Sequence, residues 1–360
     1  MFLKIITDED TVQRCRKQFA RRLRSCVSEK IPVKLGHIGA SNASKILWSE
    51  RLGIWMSFGD GKGRRFAHAF GTGKPLPGDV LSATCEINFP AGGIDRRIGG
   101  AFARDRKGQI YVVHRGKIGG GRRGIGKSLF DAHYRGVWAL MEDGEMETVV
   151  AVIGVLKSMR FPRQLAHFIH KIEQVKSLVG TSSLQTVLSF AEISFREELT
   201  GARPCDFYRD MATLCDQSIV IRDLFQTLKS GGFRVANDAF RDLFVIDDQG
   251  RIATVFHIKT DILPASLHDG VTQLLLQSLN LPRRTRLILV IPALPAADLL
   301  ARLEKRHIET LTYAWHGEKA CFPDLADIFP ETPLLMNADS SDKRSTPDPS
   351  RKDQRPSDSS

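Results

Sequence analysis

The 360 residues carry 52 Lys+Arg against 41 Asp+Glu, a formal net charge of +11, with 42% hydrophobic and 26% charged residues. Such a composition belongs to ordinary folded domains, and the length allows two of them. No run approaches the roughly 18 apolar residues that cross a bilayer. The opening stretch turns acidic and polar after six residues, and six cysteines stand without C-x-x-C spacing, so a cytoplasmic chain with reduced thiols is expected. The charge is uneven: residues 1–135 hold 26 basic and 11 acidic side chains, a balance of +15, while the remainder balances at −4. A polyanionic partner, most simply nucleic acid, is therefore expected for the first third.

In chain order, residues 8–28 predict an amphipathic helix. Val12, Cys15, Phe19, Leu23 and Cys26 recur at spacings of three and four, and Asp8 and Asp10 mark the start. Its outer face carries Arg14, Arg16, Lys17, Arg21, Arg22 and Arg24. From about 46 to 130 short strands alternate with glycine turns. "ILWSERLGIWMSFG" and "LSATCEINFP" read as strands, and "GGAFARDRKGQIYVVHRG" as a hairpin turning at Asp105–Gly108. Residues 146–200 read as helical through "AVIGVL", "QLAHFIHKIEQVKSLV" and "LQTVLSFAEISFREEL". His167, His170 and Glu173 recur every three residues there, but a metal site needs more convergent ligands.

"GRRGIGKS", Gly121–Ser128, fits the spacing G-x-x-x-x-G-K-[ST] of a phosphate-cradling P-loop. The apolar strand "QIYVVH" ends seven residues before Gly121, whereas a P-loop's first glycine follows its strand almost directly, and the hairpin setting offers no parallel strand. An acidic Mg²⁺ partner, Asp247, falls in another part of the chain. NTP binding stays an alternative. The other reading is a surface for nucleic-acid phosphates: Arg115, Lys117, Arg122, Arg123 and Lys127 here, with Arg64, Arg65, Arg96 and Arg97 in two further glycine–arginine loops. Nearby Trp55, Phe58, Phe66, Phe70 and Tyr111 are available to stack on bases or to fill a core.

From 217 onward the order is a helix (219–229), a short strand at 234–236, and a hairpin of "DLFVID" and "IATVFHIKT" turning at Asp248-Gln249-Gly250. A helix carrying Gln273, the strand "RLILVIP", the helix "AADLLARLEKR" and the strand "TLTYAW" follow. Residues 336–360 have a disordered composition.

Over about 217–316 these residues resemble the PD-(D/E)XK, or restriction-endonuclease-like, superfamily. Asp242 stands in its aspartate position, preceded by Arg241 where proline is usual. Lys259 stands in the lysine position and Gln273 in the helix position, whereas His257 replaces the usual Glu or Asp. The resemblance implies metal-dependent phosphodiester hydrolysis with Mg²⁺ or Mn²⁺. Asp242 would ligate the metal, His257 or Asp261 would complete the site, and Lys259 would act on the attacking water. Imidazole in place of a carboxylate removes charge and favours softer ions. Alternation along the strand puts Asp261 on the same face, and Asp223 is a second substitute carboxylate.

The expected architecture is thus α+β and α/β. A basic α+β domain rich in antiparallel strands (1–145) precedes a helical connector (146–216), a restriction-endonuclease-like mixed sheet flanked by helices (217–320) and a disordered tail (336–360). The expected function is nucleic-acid binding with an endonuclease-like domain, which by analogy with the family suggests restriction or defence. A catalytically inactive nucleic-acid-binding protein is the alternative. DNA stands ahead of RNA as partner, no membrane is involved, and a homodimer is left open.

Overall fold

The computed structural model describes residues 2–37, 40–59, 65–119, 125–180, 195, 211–238 and 240–330. Strand β1 (Phe2–Ile5) leads into helix α1 (Glu9–Arg24), whose N-cap Asp8 accepts a hydrogen bond from Thr11 N–H at 2.8 Å. The predicted stripe is its buried face: Val12, Cys15, Phe19 and Leu23. Strands β2 (Glu29–His37), β3 (Ala40–Ser49), β4 (Ile54–Phe58), β5 (Arg65–Phe66), β6 (His68–Thr72), β7 (Val80–Leu81), β8 (Cys85–Glu86) and β9 (Phe89–Pro90) follow. Six of them form a sheet in the order β7-β2-β3-β4-β6-β8, and β5 pairs with β9. Next come β10 (Gly100–Arg104) and β11 (Ile110–His114), paired as the sequence predicts, then the short helix α2 (Lys127–His133) and the hairpin of β12 (Val137–Asp143) and β13 (Met146–Val155).

Strands β1, β10, β11, β13 and β12 close into a barrel in that order, with β1 and β12 parallel and every other pair antiparallel. Alternation splits their side chains into two sets. Ala101, Ala103, Tyr111, Val113, Val150 and Val152 form one cluster with the start of helix α4 (Met211–Ser230), while Phe102, Val112, Ala151 and Ile153 pack with α1 and helix α3 (Phe161–Gly180). This double burial explains a correction. "AVIGVL" belongs to strand β13, not to a helix, and its residues Val150–Val155 are all buried. A run buried on both faces loses the alternation that marks a strand. The boundary expected at 145/146 therefore cuts the β12–β13 hairpin. "LQTVLSFAEISFREEL" and residues 336–360 lie outside the described residues, apart from Phe195, whose ring stacks on Phe225 at 4.0 Å.

Helix α4 (Met211–Ser230) begins before the expected 219 and runs across the boundary placed at 216/217. Met211, Leu214 and Cys215 pack with the barrel strands; Val220, Ile221, Leu224 and Leu228 pack on the C-terminal sheet. That sheet comprises β14 (Arg234–Ala236), β15 (Leu243–Ile246), β16 (Ile252–Ile258), then, after α5 (Pro264–Ser278), β17 (Arg286–Ile291) and, after α6 (Ala297–Glu304), β18 (Ile308–Thr312). Its order is β14-β15-β16-β17-β18, antiparallel up to β16 and parallel beyond. The hairpin β19 (Ala314–His316) and β20 (Lys319–Cys321) and the turn of helix α7 (Leu325–Ile328) complete the described chain. Phe256, Ile258, Ile288 and Val290 face α4, and Phe244, Val255, Leu287 and Leu289 face α5. The chain thus mixes helices with mainly antiparallel strands, as an α+β protein does. Among the described residues no helix is long and apolar enough to cross a membrane.

Candidate functional site

The site predicted on β15 and β16 is assembled by their register. Leu243 pairs with Phe256, which brings the preceding Asp242 beside His257. Because Phe244 and Val255 face α5, alternation directs Asp242 and His257 the same way. Asp242 Oδ2 accepts from Ile258 N–H at 3.0 Å and lies 2.9 Å from His257 Nδ1, with both side chains almost wholly buried. Lys259, 2% exposed, places Nζ 2.5 Å from Asp269 Oδ2 on α5. The helix approaches closely enough for that contact because residue 270 is glycine. A Cβ there would stand 3.0 Å from Lys259 Cε and 2.9 Å from Leu289 Cδ1.

The other predicted members are placed differently. Gln273 follows Asp269 by one turn of α5 and is half-buried. One further turn on, Gln277 Nε2 donates to Phe240 O at 2.6 Å and so ties α5 to the entry of β15. Arg241 makes a 2.5 Å ion pair with Asp238. Asp261 is not on the strand face: β16 ends at Ile258, and Asp261 Oδ1 accepts from Leu263 N–H at 3.0 Å in the turn leading to α5. Asp223 is also excluded as a substitute ligand. It lies on α4, on the opposite face of the sheet, clamped by both Arg163 nitrogens at 2.7 and 2.9 Å and by Ala320 N–H at 2.8 Å.

A hard divalent cation wants several oxygen ligands. Here one Asp242 oxygen accepts from Ile258 N–H and lies against His257, the Lys259 ammonium is paired with Asp269, and one Asp261 oxygen is taken by Leu263 N–H. Among the described residues no three His, Cys, Asp or Glu side chains converge. This donor set does not fit Mg²⁺ or Mn²⁺. Asp269 and Gln277 were missed in the sequence. Their signal was present, since both share a helical face with Gln273 at spacings of four.

The predicted phosphate contacts divide. Arg115 is corrected: at 6% exposure it is a core residue, bonded through Nε and Nη2 to both Asp143 oxygens at 3.0 and 2.9 Å and through Nη1 to Ile98 O. Arg96 is exposed but donates to Asp143 O at 2.6 Å. Arg65, Arg97 and Lys117 are exposed, and Lys127 pairs with Asp131 at 3.0 Å. Arg64, Arg122 and Arg123 lie outside the described residues. Around the P-loop-like stretch, Ile118 and Ile125 bridge in antiparallel fashion and β11 has antiparallel neighbours on both sides. Among the described residues β11 has no parallel neighbour of the kind a P-loop follows.

Asp247 is likewise a turn residue. Its carboxyl is held below the usual range, first by the Arg251 backbone N–H. The three α3 residues do not form a cluster: His170 Nε2 meets Leu52 O at 3.0 Å, Glu173 accepts from Thr84, and His167 is buried. Of the candidate stacking aromatics, Trp55, Phe66, Phe70 and Tyr111 are core side chains, whereas Phe58 stays partly exposed. No protein-family model, curated protein or solved structure matches this chain.

Proposed function

We propose that the protein binds nucleic acid through its basic first third, and that its C-terminal sheet is a restriction-endonuclease-like core that does not hydrolyse phosphodiesters. The observation that carries the reading is the pairing of Asp242 with His257 and of Lys259 with Asp269. The order helix, three antiparallel strands, helix, parallel strand and the positions of Asp242 and Lys259 support kinship with that superfamily. Their burial and their pairing support a structural rather than a hydrolytic role. A phosphate has no route to an ammonium that is 2% exposed and already ion-paired.

For the basic part, the charge balance of +15 supports affinity that depends steeply on salt. Fluorescence anisotropy with labelled DNA and RNA between about 50 and 200 mM salt tests this. Binding that weakens by orders of magnitude over that range is expected. Affinity that is absent, or flat with salt, overturns the proposal. A Gly121–Ser128 nucleotide site has less support, because Lys127 is engaged with Asp131 and the strand setting is antiparallel.

A further inference from the structure

Between α1 and the edge where β4 meets β6 lies a groove of about 350 Å³. That volume falls at the small end of the roughly 300–1,000 Å³ that hold small molecules. One wall carries Arg16, Lys17, Arg21 and Arg24, and among the described residues no carboxylate lines it. The other wall presents Phe58 and His68, which are register partners across β4 and β6. Ala20 on α1 and Gly59 after β4 add no bulk to the lining. Gly59 cannot gain a side chain, since a Cβ would come within 2.7 Å of Ala67 O.

Lys17 and Arg21 are four apart and Arg21 and Arg24 three apart, so they repel along one stripe. Cations in the last turn gain from the helix dipole, but Arg16 and Lys17 lie outside that turn. Arg24 stands 5.4 Å from the centroid of the Phe58 ring and Arg16 stands 4.0 Å from that of Phe66. Among the described residues the buried Arg16 Nε has no hydrogen-bond partner. A concave site that offers a ring, a planar guanidinium and several cations matches a planar base joined to phosphates.

We propose that this groove seats one nucleotide of single-stranded DNA, its base against Phe58 and Arg24 and its flanking phosphates on Lys17 and Arg21. The inference rests on the nucleic-acid reading of the first third and adds where and in what form the polymer is held. A paired base keeps its ring faces inside the duplex stack, so the groove favours a single strand or an extruded nucleotide.

The test is anisotropy with a labelled single-stranded DNA and the corresponding duplex, using Lys17→Ala/Arg21→Ala, Phe58→Leu and, for comparison, Arg97→Ala/Lys117→Ala. Phe58→Leu keeps apolar bulk and removes the ring. Its single-strand affinity should fall about 5- to 150-fold, the equivalent of ~1–3 kcal/mol of stacking, with duplex affinity unchanged. The Lys17/Arg21 variant, altered only on the surface, should lose about 1.4 from the slope of log affinity against log salt on a single strand. Single-strand binding unchanged in both variants overturns the inference, as does equal loss on both polymers. If only the Arg97/Lys117 variant loses binding, this inference fails while the nucleic-acid reading stands. If the wild type binds neither polymer, both fail together.

Discussion

Lys259 separates a working nuclease from a structural core at the level of one side chain. A lysine that orients water cannot be replaced without loss of activity, whereas a buried ion pair is often replaced by an apolar side chain without loss of stability. Lys259→Met should therefore fold with a stability within about 1 kcal/mol of wild type, because Asp269 is 32% exposed and can be solvated. Asp242→Ala is different, since it strands both His257 and the Ile258 N–H in the core and should cost about 3–5 kcal/mol. Urea denaturation of both variants checks the contrast. Equal destabilisation would mean that Lys259 is as indispensable to the core as Asp242.

His114 gives the chain a pH dependence. Burial lowers its pKa from 6.5 to about 4, and Nδ1 accepts from Gly116 N–H at 3.0 Å, so the folded state holds the ring neutral. The unfolded chain takes up the proton below pH 6.5 while the folded chain resists until about 4. Stability is therefore present above pH 6.5 and lost as pH falls through that window, by up to ~3 kcal/mol. Denaturation midpoints at pH 7, 6 and 5 should decline, and the decline should shrink in His114→Gln.

At the scale of elements, α1 is fixed by Phe19, a fully buried ring in edge contact with Phe58, Phe70, Phe89 and Phe161. Phe19→Ala should cost about 3–5 kcal/mol, read as a lowered denaturation midpoint. A cost under 1 kcal/mol would show that the helix is held some other way. Gly270 sets the closeness of α5 to the sheet. Gly270→Ala should destabilise despite alanine's gain of about 1 kcal/mol in helix propensity, because Leu289 and Lys259 must both move.

These elements differ in how far the sequence revealed them. Helix α1 and the β15–β16 hairpin were legible because each buries one face and keeps its period. Strand β13 was not, since burial on both sides erased its alternation. Asp242, His257 and Lys259 were placed together by the hairpin and by the resemblance to the nuclease superfamily. The ion pair with Asp269 was not, because it depends on how near α5 approaches. Arg115 looked like a phosphate contact in a glycine–arginine loop, and only the tertiary position of Asp143 makes it a core residue.

At the scale of the molecule, the halves are joined by α4, which packs its first turns on the barrel and its later turns on the C-terminal sheet. Arg160, just before α3, with Asp216, and Arg163 on α3 with Asp223, tie this region to the same helix at 2.8 and 2.7 Å. The positive charge is concentrated in the first third, while the C-terminal sheet carries the buried ion pairs. The proposed polymer binding belongs to the first of these regions, and the proposed nuclease-like scaffold to the second.

The most direct test is a cleavage assay on plasmid DNA, modified DNA and RNA with Mg²⁺ and with Mn²⁺, run at protein concentrations where anisotropy shows saturated binding. Wild type and Lys259→Ala are compared side by side. Salt-sensitive binding with every substrate left intact in both proteins is the predicted result. Metal-dependent cleavage by wild type that disappears in Lys259→Ala would contradict the account and make the buried pairs a closed state of a working nuclease.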